Sequence, residues 1–548
     1  MAPVNGEHPT TLGRRILPGE VLARGRERAY RRLAAAAGEP HVRRLDLAPG
    51  APPPGERRSL LHLFHLTDLQ IVDVASPTRI EFLDRWPDRR AIRHLLPAFR
   101  AQEPLVLHAV EAMVRTANAL RRSPVTGAPL QLVVTTGDAI DDQQWNELSW
   151  FLEAMSGGRV AAGGGDGYVG VQAESWGDPG YWHPDPVPDV YKERWGHPAY
   201  PGLLEEAARA FDAEGLQLPW LACFGNHEGL IQGTAIPTEA VRRIMAEGRK
   251  PVGLPEGLDP AAEVDRFVTE PELFLSGPTR PVPVDPGRRA ITRRDFVAAH
   301  LRAPGSPPGH GFTEENLERG TAYYVHDLPG VRLVCLDTTN PGGFYEGSVG
   351  ARQLAWLEER LVEVHSRHVG ADGRWARGGG EDRLVVVFSH HNLETLTNPR
   401  AEPNPLEPDD LPRVLAPEVE ALLHRFPNVV LWLNGHTHEH RVRPRPDPTG
   451  RTAGFWEVTT GAVADWPCQG RLVELVDEGN GFLGIVCTVV DHAAPPHPAE
   501  ARGVLRLAAI HRELAANDPF RGADGGAAGR PADRNVELVL PAPPGLVA

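Results

Sequence analysis

The chain has 548 residues, a formal net charge of −15, and is 41% hydrophobic and 24% charged. Its 57 glycines and 54 prolines make up about a fifth of the chain, above the ~12% usual and below the ~25–30% of low-complexity sequence, which excludes a helix bundle and wholesale disorder. The acidic balance repels nucleic acid and anionic membrane at long range; the bases are nearly all arginine, with Lys192 and Lys250 the only lysines.

Residues 1–58 are Arg- and Pro-rich and end in Pro52-Pro53-Pro54-Gly55. They read as an N-terminal arm, packed on the surface or partly disordered. No apolar leader follows Arg14-Arg15 and no run of 18 apolar residues occurs, so no membrane span is expected. As written, the protein is expected in the cytoplasm, or exported if a leader lies upstream.

From residue 60 onward, short apolar runs bounded by turns predict buried strands. Leu60 to Leu66 leads into Thr67-Asp68-Leu69-Gln70, and a helix follows at about 103–122. Leu132 to Thr136 closes on Gly137-Asp138, Trp220 to Phe224 on Gly225-Asn226-His227-Glu228, and Val331 to Leu336 on Asp337. A helix at about 350–364 precedes Leu384 to Phe388, which ends in Ser389-His390-His391; Val429 to Leu433 ends in Asn434-Gly435-His436-Thr437-His438. Three more strands are expected at 454–460, 471–477 and 482–490, the last two joined by the hairpin signal Glu478-Gly479-Asn480-Gly481. A helix around 500–516 and a final apolar segment near 536–540 end the chain.

Strands separated by helices predict an α/β sheet protein, with functional groups past the carboxyl ends of the strands. The Gly/Pro surplus falls in two broken insertions, 153–215 and 229–320, the first containing Gly163-Gly164-Gly165. They are expected to wall a substrate cleft. Trp176, Trp182 and Trp195 in the first either stack on a substrate or pack the insertion onto the core, and packing is the preferred reading. Cys223, Cys335, Cys468 and Cys487 form no CxxC pair, which argues against a disulfide framework or thiolate zinc site; Cys223, Cys335 and Cys487 read as buried free thiols.

Taken singly, each strand-end Asp is a turn cap and each His a satisfied polar side chain. Together, Asp68, Asp138, Asn226, His390, His436 and His438 supply two carboxylates, one carboxamide and three imidazoles. Oxygen and nitrogen without sulfur suit Mn, Fe or Zn. A carboxylate such as Asp138 can bridge two cations, and two metals ~3.5–4 Å apart clamp a phosphoryl group for in-line displacement. His227, beside a ligand candidate, is placed to hydrogen-bond a developing oxyanion or protonate a leaving alkoxide.

The ordered set Asp-x-Gln, Gly-Asp-x-x-Asp, Gly-Asn-His-Glu, His-His and Gly-His-Thr-His resembles the calcineurin-like metallophosphoesterase superfamily over residues 61–490. Gly350-Ala351-Arg352-Gln353-Leu354-Ala355-Trp356-Leu357 and Phe455 to Gly461 agree with it, and the long insertions resemble a bacterial subgroup. The resemblance implies a four-layer α/β/β/α sandwich with two mixed sheets, spanning 59–498, before a C-terminal helix and tail at 499–548.

It further implies a dinuclear centre of two divalent or trivalent ions, with a metal-bound hydroxide attacking phosphorus. Asp68, Asp138 and His438 would hold one ion; Asp138, Asn226, His390 and His436 the other, with Asp138 bridging and His227 catalytic. Asn226, His227 and His391 would contact substrate, although His391 reads equally as a residue facing the helices. Gln70 stands where relatives usually carry His, so it coordinates through oxygen or leaves that metal loosely held. Asp141 departs from the purple acid phosphatases, which need a tyrosine there. Asp142 reads as a solvated loop residue and Asp337 as a turn cap.

The expected activity is hydrolysis of a phosphomonoester or phosphodiester on a small molecule or protein. The alternative is a catalytically weak phosphate-ligand-binding protein on the same fold.

Overall fold

The computed structural model describes residues 10–162, 167–408, 411–543 and 545–546. Gly163-Gly164-Gly165 lie outside the described residues.

In chain order, the arm forms a hairpin, β1 (Arg14–Arg24) and β2 (Ala29–Ala37), and a short strand β3 (Val42–Arg44). Next come β4 (Arg58–Leu66), α1 (Val106–Ala119), β5 (Leu132–Thr135), α2 (Trp145–Ser156) and β6 (Trp220–Leu221). The second insertion contributes α3 (Arg293–Arg302). It leads to β7 (Tyr324–Leu328), β8 (Val331–Leu336), α4 (Ala351–Val362), β9 (Leu384–Ser389) and α5 (Ala416–His424). The chain closes with β10 (Val429–Asn434), β11 (Arg441–Arg445), β12 (Phe455–Thr459), β13 (Gln469–Asp477), β14 (Phe482–Asp491), α6 (Gly503–Ala516) and β15 (Val536–Pro541).

One sheet has seven strands in the order β3-β15-β14-β13-β4-β5-β6, the other six in the order β7-β8-β9-β10-β12-β11. Both are mixed. β4, β5 and β6 run parallel, as do β8, β9, β10 and β12, while β13, β14 and β15 alternate antiparallel.

Strand periodicity explains the layers. In the six-stranded sheet, Leu333, Cys335, Val386, Phe388, Leu431, Leu433, Trp456 and Val458 share one buried cluster with Leu63, Val133 and Val473 of the other sheet. Their neighbours Val334, Leu336, Val385, Val387 and Trp432 share a second cluster with Leu357 and Leu361 of α4 and Val419 and Leu423 of α5. So the sheets meet face to face, and α4 and α5 cover one outer face. α1 and α2 add Val110, Met113, Leu148 and Phe151 to the cluster of the seven-stranded sheet. α6 packs on α1 through Ala112, Ala508 and Ala509, where small side chains let the helices approach closely.

Of the two readings left open for the arm and for the first insertion, packing holds in both. The arm is ordered from Thr10 on: Ile16 and Leu33 of the hairpin pack on Trp466 and Ala515, and β3 pairs in parallel with β15. The hairpin escapes a periodicity reading because its strands are mostly exposed and Arg-rich. The first insertion packs inward: Trp176, Trp182 and Trp195 are buried with Phe99, Ile510 and Leu514. All four cysteines are buried free thiols. Among the described residues, no helix is long and apolar enough to cross a membrane.

Candidate metal centre

The parallel strands aim their carboxyl ends at one place. Beyond β4 and β5 the chain keeps pairing for a few residues: Asp68 donates its N–H to the Gly137 carbonyl at 3.2 Å and Gln70 to Asp138 at 2.9 Å. The loop after β12 closes over this pair, with Ala464 N–H donating to the Asp68 carbonyl at 3.1 Å. The loops after β9 and β10 meet through Gly435 N–H and the His390 carbonyl at 3.0 Å. Gly435 is confined to glycine by this closeness, since a Cβ there would overlap Thr67 and Asp68. Asp68, Gln70, Asp138, His436 and His438 all have positive φ, between 43° and 70°. A non-glycine residue occupies that region at a cost, and such strain gathers where function requires it.

Two oxygens at this convergence, Gln70 Oε1 and Asn226 Oδ1, are buried without a hydrogen-bond partner, and Asp68 Oδ1 faces only the ring of His438. Burying an acceptor unpaired costs about 1–3 kcal/mol, so the two together ask for a ligand. Asn226 is oriented for one, because its Nδ2 donates to the Gly233 carbonyl at 2.9 Å and leaves Oδ1 facing inward.

The imidazoles are oriented likewise. His390 Nδ1 donates to the Thr136 carbonyl at 2.8 Å, which frees Nε2, 3.0 Å from Asp138 Oδ2. That Nε2 is 3.2 Å from His436 Nδ1. His438 is held at Nδ1 by Asp465 Oδ2, 2.7 Å away, and presents Nε2 3.2 Å from Asp68 Oδ1. A partner on the far nitrogen that fixes the tautomer is the usual support of a metal-ligating histidine. Ligand atoms of Asp68, Asp138 and His390 lie within 4.8 Å of one another, as do those of His390, His391 and His436. Burial alone would raise the Asp138 carboxyl, but His390 and His227 beside it hold it well below the usual range.

His227 borders these groups with its side chain 17% exposed. Its N–H donates to Asp138 Oδ1 at 3.0 Å, its Nδ1 bonds the Asp141 carbonyl at 2.5 Å, and its Nε2 lies 3.8 Å from Asp138 Oδ2. Glu228 clamps the turn below: it accepts from the N–H groups of Gly225, Asp138, Ala139 and Ile140 at 2.7–3.1 Å. Burial pushes its carboxyl up to about 7.

The remaining candidates have structural partners. Asp142 corrects its expectation: it is buried, and accepts from Ser76 Oγ at 2.8 Å, Thr78 Oγ1 and Gln232 N–H at 3.0 Å. Hydroxyl groups distant in sequence hold it away from solvent. His391 has both ring nitrogens engaged, Nδ1 by Thr338 Oγ1 at 2.8 Å and Nε2 by the Tyr345 carbonyl at 2.9 Å, and burial brings it down to about 3. No free nitrogen is left for a phosphate oxygen. Asp337 pairs with Arg293 at 2.5 Å and accepts from Thr339 N–H at 3.0 Å, as a turn cap does. His65 and His440 are buried among Thr136, Thr460, Gln469 and Arg471.

Three residues pass unremarked in the sequence. Asp465 orients His438 and is itself bound by Arg100 at 3.0 Å and Gln102 at 3.2 Å. Arg79, buried, pairs with Asp141 and Glu103 at 2.6 Å and Glu81 at 2.9 Å. Gln232 Nε2 donates to Asp141 Oδ2 at 3.1 Å. Only Asp465, just past a predicted strand end, carried a positional signal.

Above the centre opens a cleft of about 450 Å³, lined by Gln70, Asp138, Asn226, His227, His436 and His438 with residues 93–98, Tyr345 and Arg521. Among the described residues, the 153–215 insertion contributes nothing to it; of the two insertions expected to wall it, 229–320 does so, through Gln232 and Thr234.

Two mixed sheets lie face to face under helices, with Asp, Asn and His residues in this order at adjoining strand ends, which is the sandwich arrangement expected above. No family model matches the chain, and no curated protein matches it. Among solved structures it is similar to a dimetal phosphatase from Danio rerio, at 12% identity and a TM-score of 0.32, over 79% of this chain and 100% of that one. A purple acid phosphatase from yellow lupin (Lupinus luteus) seeds is similar at 10% identity and a TM-score of 0.29, over 84% of this chain and 54% of that one.

Proposed function

We propose that this chain is a metal-dependent phosphoester hydrolase with a dinuclear centre. The observation that carries the reading is the pair of buried, unpaired oxygens of Gln70 and Asn226, converging with Asp68, Asp138, His436 and the oriented imidazoles of His390 and His438. Asp68, Gln70 and His438 would hold one ion, and Asn226, His390 and His436 the other, with Asp138 between them. Gln70 fits as an oxygen ligand, because its Oε1 is buried and otherwise unsatisfied. Manganese, iron and zinc suit this donor set. When bound, such a pair of ions polarises the phosphoryl group and brings water's pKa toward neutrality.

The chain's own contribution to the chemistry centres on His227. The Asp141 carbonyl fixes the ring through Nδ1, so Nε2 faces the cleft. A proton held at Nε2 passes to the leaving oxygen as the P–O bond breaks, which spares an unprotonated alkoxide. Arg79 and Gln232 hold the Asp141 carboxylate, and with it the carbonyl that aims His227. The strained loops keep the ligands preorganised.

The test is an assay with nitrophenyl phosphate and bis-nitrophenyl phosphate after chelation and reloading with Mn or Zn. Turnover of either ester that returns with metal supports the reading. If no metal restores turnover, the hydrolase reading fails.

A further inference from the structure

The cleft's cations are distributed unevenly. Arg521 reaches it from the tail, beside His438. The turn that carries it is built for the purpose: Asp518 Oδ1 accepts from the N–H groups of Phe520 and Arg521, both at 2.7 Å. Phe520 is braced by Arg89, 3.8 Å above its ring, and by Trp195 at 5.7 Å.

Arg521 has little else to do there. Its Nη1 lies 3.5 Å from Asp465 Oδ2 and 3.4 Å from His438 Nδ1, whereas Asp465 is already held more closely by His438 at 2.7 Å, Arg100 at 3.0 Å and Gln102 at 3.2 Å. The side chain is 40% exposed. A second cation, Arg93, lines the rim, and its side chain makes no hydrogen bond or ion pair among the described residues.

We infer, building on the hydrolase reading, that Arg521 binds the phosphoryl oxygens of the substrate, and that the substrate class is the phosphomonoester dianion. Of the proposed metal ligands only Asp68 and Asp138 bear charge, so a monoester brings more negative charge than a diester to the same centre. An arginine fork supplies two parallel N–H groups and a permanent positive charge, which suits two terminal oxygens of one phosphoryl group. A diester keeps two terminal oxygens but only one negative charge, so it gains less from a permanent cation than the three-oxygen dianion does.

The experiment compares wild-type holoenzyme with Arg521→Gln and Arg521→Lys. It measures metal content, inorganic phosphate binding by calorimetry, and kcat/KM for nitrophenyl phosphate and bis-nitrophenyl phosphate. Arg521→Gln is expected to weaken phosphate binding and monoester kcat/KM by about 10–100-fold, the size of a hydrogen bond to a charged group. It should lower diester kcat/KM by a clearly smaller factor than monoester kcat/KM and leave metal content intact, and Arg521→Lys should recover part of the loss. Equal losses on both esters, or unchanged phosphate binding with metal lost, reduce Arg521 to a brace for Asp465 and overturn the inference. A wild-type chain inert toward both esters removes the hydrolase reading instead, and phosphate calorimetry then decides Arg521 alone.

Discussion

Asp465 Oδ2 sits 2.7 Å from His438 Nδ1, so a carboxylate from the loop after β12 fixes an imidazole from the loop after β10. The opposite nitrogen of the same ring is 3.2 Å from Asp68 Oδ1. Asp465 thus acts on the proposed centre through His438 rather than by direct contact. Asp465→Asn is expected to lower affinity for the ion at Asp68, Gln70 and His438 by about 10–100-fold, the usual cost of losing such a partner. Metal titration checks this: one weakened site and one unchanged site is the expected result.

His227→Ala is expected to cut turnover by a factor of ~10²–10⁴, as for other acid–base groups, with metal content intact. The ring is fixed by the Asp141 carbonyl rather than by any proposed metal ligand's side chain. Steady-state rates and metal analysis on one preparation separate the two roles; unchanged rate would remove His227 from the chemistry.

Arg79→Met leaves Asp141, Glu81 and Glu103 buried without their shared cation. Breaking a buried pair by removing one partner costs about 3–5 kcal/mol. Urea unfolding should show a loss of that order, and a loss below about 1 kcal/mol, the range of a surface pair, would contradict the role given to Arg79.

Acid should loosen the fold through its buried imidazoles. Burial brings His108 down to about 4 and His197 and His511 to about 3. These rings stay neutral in the folded chain, whereas the unfolded chain takes up their protons below about 6.5. The unfolded state therefore binds more protons, and stability falls as pH drops from about 6.5 toward 4, by up to about 1.4 kcal/mol per pH unit for each ring. His197, caged by Tyr30, Trp182 and Tyr191, gives the control: His197→Phe should flatten the slope. Urea midpoints that do not move between pH 7 and 5 would refute it.

How far the sequence reached follows from these particulars. β8, β9 and β10 are buried along their whole length, so they show as short apolar runs, and the turns behind them carry the clustered Asp, Asn and His. β7 and β11 are short edge strands with polar residues facing out, and leave no such run. Asp142 and Asp141 are neighbours with different fates, decided by Ser76 and Thr78 for one and Arg79 for the other. Partners more than 60 residues away leave no local pattern. The same holds for Arg521, which only tertiary packing brings beside His438. The strain at Asp68, Gln70, Asp138, His436 and His438 is likewise a property of the closed loops and not of their composition.

The proposed function turns on a dinuclear centre built around Asp138. The direct test is to strip the chain with a chelator, reload it with Mn or Zn, and count ions per chain by mass spectrometry while following nitrophenyl phosphate turnover. Two ions per wild-type chain are expected, with turnover that returns as the second site fills and loss of both in Asp138→Asn. Full turnover with at most one ion per chain would contradict it.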